Sequence, residues 1–315
     1  MKHDLWSRLF TFLPMPTSDD GETVNDGMLR DLIDNQIAHG IEGICVFGST
    51  GGFGSFSADE MKKATEIAVS HANGRAAVVA GTGARTTAAC ISLTEHAHKT
   101  GCDGVLIVPA SYWPLTQDEV YDHYAKVSAE VDIPICLYNN PWFTGFDMKP
   151  DFVAQLATLP NITCVKESSS DLTRITAIRR LTDDTLSIMA GWETSILQAL
   201  AAGADSWASV CSNFVPLSAK DFFIASVFQA NLARARDLWD TLFPLCEFIS
   251  TKTHIRVIHT GLELLGWSVG LPRRPLRGLN DREAAKLHHI LVACRATTKA
   301  GGALKNGTDG FERRV

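Results

Sequence analysis

Eight short apolar runs alternate with amphipathic stretches along the first 230 residues, and this alternation restricts the fold more than any other feature of the chain. Runs of four or five residues rich in Val, Ile and Leu suit strands buried on both faces, whereas the stretches between them place apolar residues at helical spacing. The runs fall at 9–13, 43–47, 76–80, 104–108, 134–138, 162–165, 186–189 and 206–210. Helix-period segments such as 27–38, 58–71, 87–99 and 117–129 separate them, with Asp26 and Ser57 as candidate N-caps. Strands joined by crossover helices pair in parallel, and eight such units close on themselves. The predicted fold class is therefore α/β, a (β/α)8 TIM barrel. A doubly wound open sheet competes with it, but no GxGxxG fingerprint follows the first run.

After residue 230 the strands stop. Residues 231–250, 253–265 and 281–295 read as helices, and Pro272 and Pro275 interrupt the chain between the last two. The expected organisation is a catalytic barrel over 1–230, a C-terminal helical extension over 231–300 and a glycine-containing, frayed tail over 301–315. A length of 315 residues accommodates a barrel of about 250 residues with an extension. With 45% hydrophobic and 20% charged residues, a disordered or collagenous chain is excluded. A net charge of −6 with interspersed signs argues against nucleic acid as a partner. No apolar run reaches the roughly 18 residues of a membrane span. Asp4 and Arg8 interrupt the apolar residues near the start, and Pro14 and Pro16 follow, so no signal peptide is read. A cytoplasmic protein is expected, and the eight scattered cysteines, three of them in strand runs (Cys45, Cys136 and Cys164), are read as reduced core thiols.

Barrel active sites lie at the C-terminal ends of the strands, so the residues just after each run carry the functional reading. Lys166 ends the sixth run, followed by Glu167 and three serines. Apolar walls around a lysine at a barrel mouth disfavour an ammonium and leave an amine able to attack a carbonyl, which is Schiff-base chemistry. Pairing with Glu167 is the structural alternative. Tyr138 ends the neighbouring fifth run at a similar height, where a phenol can move protons to and from a carbinolamine, or serve as an ordinary amphipathic strand end. After the second run, Gly48-Ser49-Thr50-Gly51-Gly52 offers backbone N–H groups and two hydroxyls to a carboxylate, or is a plain turn. No lysine follows it in P-loop spacing. His96 and His98 are two apart on a helix and diverge, so no metal site is read there. Trp113, Trp142, Phe143 and Phe146 gather after the fourth and fifth runs as either a substrate wall or a subunit contact.

Gly48-Ser49-Thr50-Gly51, Tyr138-Asn139-Asn140-Pro141 and Lys166-Glu167-Ser168 together resemble the dihydrodipicolinate synthase/N-acetylneuraminate lyase family of class I pyruvate aldolases, over about residues 9–297. Gly191, residues 206–213 and the connector 272–279 support the resemblance. It implies that Lys166 captures the ketone of pyruvate or another 2-oxo acid, that Tyr138 relays protons, and that Ser49 and Thr50 hold the carboxylate. Thr50 belongs with the catalytic residues on this reading. The resemblance also implies a backbone contact from Ala208, a place for Gly191 in the substrate site, a homo-oligomer (tetramer or dimer), and no metal or other cofactor.

Three positions depart from the pattern. Phe143 stands where synthases of this family place an arginine for the carboxylate of aspartate semialdehyde, which implies a second substrate with a neutral or apolar far end. Ser111 falls where a tyrosine lent across the subunit interface is expected, with Tyr112 one place along, and Gly52 replaces a glutamate. The expected function is thus a Schiff-base lyase or aldolase acting on pyruvate or a pyruvate-derived 2-oxo acid. The alternatives are a true dihydrodipicolinate synthase, a deoxy sugar acid dehydratase and a catalytically silent barrel that binds a 2-oxo acid.

Overall fold

A computed structural model describes residues 2–305. Its eight strands are β1 (Leu9–Phe12), β2 (Gly43–Val46), β3 (Ala77–Gly81), β4 (Gly104–Ile107), β5 (Ile135–Asn139), β6 (Ile162–Glu167), β7 (Ser187–Ala190) and β8 (Ser206–Ser209). They pair in parallel, each with its neighbour in sequence, and β8 pairs with β1 to close the barrel. Every expected run is a strand. The boundaries differ by a residue or two, most at β6, where pairing with β5 and β7 carries the strand through Lys166 and Glu167.

Side chains alternate across each strand, so the barrel separates two cores. Outward residues such as Ile44, Val105 and Ile188 pack against the helices, while Phe10, Phe12, Cys45, Leu106, Cys136, Cys164, Met189 and Ala208 fill the interior. Trp6 lies in a short turn ahead of β1 and closes the N-terminal end of that interior, packing at 5.8 Å on Phe10. Its indole N–H donates to Thr163 at 2.9 Å. The floor is thus plugged, leaving the C-terminal end as the open face of the barrel.

The helices start where their caps dictate. Ser57 caps Ala58–Ala72 through a reciprocal box with Glu60, Thr116 and Glu119 do the same for Gln117–Glu130, and Asn280 and Glu283 for Asp281–Ala293. Asp26 is not the cap expected of it. The Asn25 side chain accepts from the Met28 N–H, and Asp26 is the first residue of Asp26–Ala38, where its charge suits the helix N-terminus.

Beyond β8 the chain forms Pro216–Phe223, Leu232–Ser250, His254–Leu264 and Asp281–Ala293. In the proline-bearing connector before the last helix, Arg273 pairs with Glu60 and donates to the Gly21 and Glu22 carbonyls, tying this segment to the barrel side. The expected frayed tail, 301–315, is described only to residue 305. There Thr297 bridges Ala303 and the Leu304 N–H reaches the Ala296 carbonyl at 3.0 Å, so 301–305 fold back on the body, while 306–315 lie outside the described residues. All eight cysteines are free and buried. Among the described residues no helix is long and apolar enough to cross a membrane.

Candidate active site

Strand alternation decides the orientation of Lys166. In β6, Cys164 and Lys166 face the interior, and Val165 and Glu167 face outward, so the two adjacent charges are held on opposite sides of the sheet. Lys166 is 5% exposed. Its Nζ lies 3.9 Å from the centroid of Phe12 and 4.2 Å from that of Tyr138, and no ion pair is formed by it among the described residues. The pairing of Lys166 with Glu167 is not observed.

Glu167 has its own partners. Asn139 Nδ2 donates to both carboxylate oxygens at 3.2 and 3.0 Å, the Ser169 N–H donates at 2.6 Å, and Arg174 stands 4.0 Å away. Burial raises the Glu167 carboxyl above its usual range, and these hydrogen bonds oppose the shift. Arg174 in turn holds Asp147 well below the usual carboxylate range through a two-pronged contact. Asn139, Asp147 and Arg174 therefore fix the outer face of β6, and with it the direction of the lysine on the inner face.

Tyr138 sits directly across the register from Lys166. Its hydroxyl lies 3.3 Å from Ser49 Oγ and accepts from Asn140 Nδ2 at 2.8 Å. Because Asn140 supplies a donor, the phenolic proton is left to point at Ser49 or at a bound group. In the sequence Asn140 carries no signal beyond its place in Tyr138-Asn139-Asn140-Pro141.

The turn after β2 begins at a strained point. Phe47 has φ 55°, a left-handed conformation that a bulky aromatic adopts only when its surroundings impose it. Thr50, within this turn, is 3% exposed, and Gly52 has φ 65°, so a glutamate at 52 would itself be strained. Ala208 is buried in the barrel interior on β8, opposite Phe10 in the register. At Gly191, after β7, a Cβ would overlap Ser168 Oγ and come within 2.9 Å of Lys166 Cε. A glycine is what lets the lysine stem pass. Ser168 Oγ is buried and has no hydrogen-bond partner among the described residues.

The four aromatics expected to gather at the mouth separate. Phe146 packs inward on Phe152 at 5.9 Å, and Trp113 pairs with Tyr112 at 5.0 Å on an exposed surface. Trp142 reaches Trp192, the residue after Gly191, at 5.9 Å. Phe143, 67% exposed, contacts the edge of His254 at 6.0 Å. His254, which no motif marks in the sequence, comes from the helix His254–Leu264 to the side of Phe143 and the Ser49 backbone. Ser111 Oγ accepts from the Trp113 N–H at 3.0 Å, and Tyr112 faces outward at 84% exposure.

Among the described residues one trio could hold a metal ion: Glu193, Cys211 and Cys246, with ligand atoms within 4.8 Å of one another. The Glu193 carboxylate already accepts from the Trp207 indole and from the Val210 and Cys211 N–H groups. Burial pushes the Cys246 thiol well up, away from the thiolate a metal needs. The trio acts as a brace between β7, β8 and the helix Leu232–Ser250.

The profile of the dihydrodipicolinate synthetase family matches residues 5–294. A 4-hydroxy-tetrahydrodipicolinate synthase from Methanothrix thermoacetophila is 34% identical over 285 residues, covering 90% of this chain and 95% of the relative. Among solved structures, dihydrodipicolinate synthase from Aquifex aeolicus is 31% identical with a TM-score of 0.87, covering 91% of this chain and 97% of its own. The Acinetobacter baumannii dihydrodipicolinate synthase complexed with pyruvate is 26% identical with a TM-score of 0.87, covering 91% and 98%. A match along nearly the whole of both chains, at this level of identity, shows that the chain belongs to the dihydrodipicolinate synthetase family, as a class I carbon–carbon lyase.

Proposed function

We propose that Lys166 captures the ketone of pyruvate, or of a pyruvate-derived 2-oxo acid, as a Schiff base, and that the enzyme makes or breaks the adjoining carbon–carbon bond through the enamine. The observation that carries this reading is a buried lysine without an acidic partner among the described residues, lying between Phe12 and Tyr138, with the Tyr138 hydroxyl reaching Ser49. The turn from Gly48 to Gly52 offers donors to the carboxylate beside the ketone, which sets the carbonyl against the lysine nitrogen. Attack gives a carbinolamine. Tyr138 supplies the proton that lets water leave, and the protonated imine then draws electrons from the bond beta to it. Ser49 and Thr50 hold the carboxylate, the Ala208 backbone contacts the same ligand, and Gly191 leaves room for the lysine stem. The residues beyond 230 act as a helical extension of the catalytic barrel. A cytoplasmic homo-oligomer, tetramer or dimer, accompanies the proposal, and eight buried free thiols suit a reducing compartment.

Borohydride tests the first step. Added with pyruvate, it should fix a carboxyethyl group on the peptide containing Lys166. An unmodified peptide, with pyruvate binding shown independently, removes the Schiff-base role. Gly191→Ala should slow that capture and lower stability by about 1–3 kcal/mol, because the methyl overlaps Ser168 and the lysine stem. Thermal melting and adduct formation measured on the same sample check both effects; if neither changes, Gly191 does not set the lysine's path.

The second substrate is read from Phe143. A phenyl ring offers no pair to a distal carboxylate, whereas the arginine expected at that position would supply a charge-assisted one. Neutral or apolar aldehydes are therefore the expected partners of pyruvate. The name carried by the Methanothrix relative favours the competing reading, a synthase that uses aspartate semialdehyde. Comparison of kcat/KM for the semialdehyde and a panel of neutral aldehydes, at fixed pyruvate, separates the two. The wild type should prefer the neutral aldehydes, and Phe143→Arg should move the preference toward the semialdehyde by about tenfold or more, the worth of a charge-assisted pair. Wild-type use of the semialdehyde at about 10⁴ M⁻¹s⁻¹ or above would refute this reading of Phe143.

A further inference from the structure

Breaking a carbon–carbon bond by a retro-aldol route needs a proton acceptor at the hydroxyl that becomes the aldehyde oxygen. That hydroxyl lies two carbons beyond the imine carbon, on the side of the second substrate. Tyr138 stands beside the lysine itself, bound to Asn140 and facing Ser49. Phe143 and Trp142, after β5, have no lone pair to offer. The group that touches Phe143 and has one is His254, with ring centroids 6.0 Å apart.

Building on the proposed Schiff-base function, we infer that His254 is a catalytic residue of the bond-breaking step, accepting the proton of the substrate hydroxyl in cleavage and returning it to the aldehyde oxygen in condensation. In cleavage the hydroxyl proton passes to the free imidazole nitrogen, and the O–H electron pair forms the new C=O. The C3–C4 bond breaks, its pair becomes the C2=C3 bond of the enamine, and the C=N pair moves onto the lysine nitrogen. Tyr138 then delivers a proton to C3 and recovers one from water, while the imidazolium releases its proton to water. The sum is one hydroxy-oxo acid giving one aldehyde and one 2-oxo acid, with no net proton.

The ring is prepared for this task. A hydrogen bond to the Ser49 backbone favours the protonated imidazole, which identifies the ring N–H as donor and the Ser49 carbonyl as acceptor. With one nitrogen so engaged, the other keeps its lone pair in the neutral ring. Burial and then the positive charge of Lys166 push the imidazole down to about 4, so the resting ring is neutral. Conversion of the protonated imine to the enamine removes that positive charge. The imidazolium is then opposed least at the moment it forms.

The test uses the full chain with two variants, His254→Ala and His254→Gln, the second retaining an N–H donor for Ser49 without a base. Three readouts are compared: borohydride capture of pyruvate, exchange of the pyruvate C3 protons in D2O, and cleavage of 4-hydroxy-2-oxo-4-phenylbutanoate. Capture and exchange should stay within about threefold of wild type in His254→Gln, while cleavage falls by about 10²–10³-fold in both variants, the usual worth of a general base. Added imidazole should restore part of the cleavage in His254→Ala. The inference is overturned if both variants cleave near the wild-type rate, or if capture and exchange fall in step with cleavage in His254→Gln. It is also overturned if the wild type captures pyruvate but cleaves nothing, a result that leaves the Schiff-base reading standing. Failure of the wild type to capture pyruvate overturns both.

Discussion

Lys166→Ala should form no borohydride-stable adduct with pyruvate and should turn over no 2-oxo acid above the rate in buffer, while keeping its fold. The wild-type lysine is buried against two aromatic rings and has no ion pair among the described residues, so its removal strands no opposite charge there. What remains is a small apolar gap beneath Phe12 and Tyr138, worth about a few kcal/mol at most. The loss of activity is far larger, because the covalent route through an electron sink disappears entirely. Lys166→Arg sharpens the comparison. A guanidinium keeps the positive charge over the rings but offers no free amine, so it too should fail to form the adduct. If either variant retained turnover within about a hundredfold of wild type, catalysis would run by charge stabilisation alone and Lys166 would be a binding residue. Circular dichroism and thermal melting of the variants separate that outcome from simple unfolding.

The strands were readable because a parallel barrel buries both faces of each one, and continuous apolar runs record that directly. The inward direction of Lys166 follows from the two-residue period once the strand is placed, and so does its separation from Glu167. Tyr138 and Lys166 were expected at similar height. They are register partners even though the β5–β6 pairing shifts between Ile135 and Cys136, an irregularity that spacing alone could not reveal. Phe12 was hidden for another reason. It closes over the lysine from β1, across the barrel interior, a contact set by barrel curvature and not by sequence proximity. His254 was harder still, because it arrives from a helix after the last strand, and a lone histidine at a helix start carries no signal until its neighbours are known. The aromatic cluster failed in the opposite direction. Closeness in sequence suggested one wall, but the short helix Pro141–Thr144 turns Trp142 and Phe143 to different partners, while Phe146 enters the core.

Tyr138→Phe should preserve the barrel and lower turnover by about two to four orders of magnitude, the range of a general acid–base group. The substitution removes one oxygen from a ring that is otherwise held by the interior core, so packing changes little. It leaves Asn140 Nδ2 without its acceptor at 2.8 Å and Ser49 Oγ without its neighbour at 3.3 Å. An unmet buried donor costs about 1–3 kcal/mol, enough to lower the melting temperature measurably but too little to unfold a domain of this size. The effect on rate should be concentrated in the steps that gain or lose water, since both directions of the carbinolamine need a proton moved in a site shielded from solvent. Trapping kinetics test this. With saturating pyruvate, borohydride capture should be slow in Tyr138→Phe although pyruvate still binds, and C3 proton exchange should slow with it. Asn140→Ala then separates positioning from chemistry: the phenol stays but loses the donor that orients it, so turnover should fall less, by about tenfold, and the thermal shift should resemble that of Tyr138→Phe. Near-wild-type capture by Tyr138→Phe would assign the proton to Thr50 or to water held by the Ser49 turn, and the register pairing of Tyr138 with Lys166 would be a feature of packing.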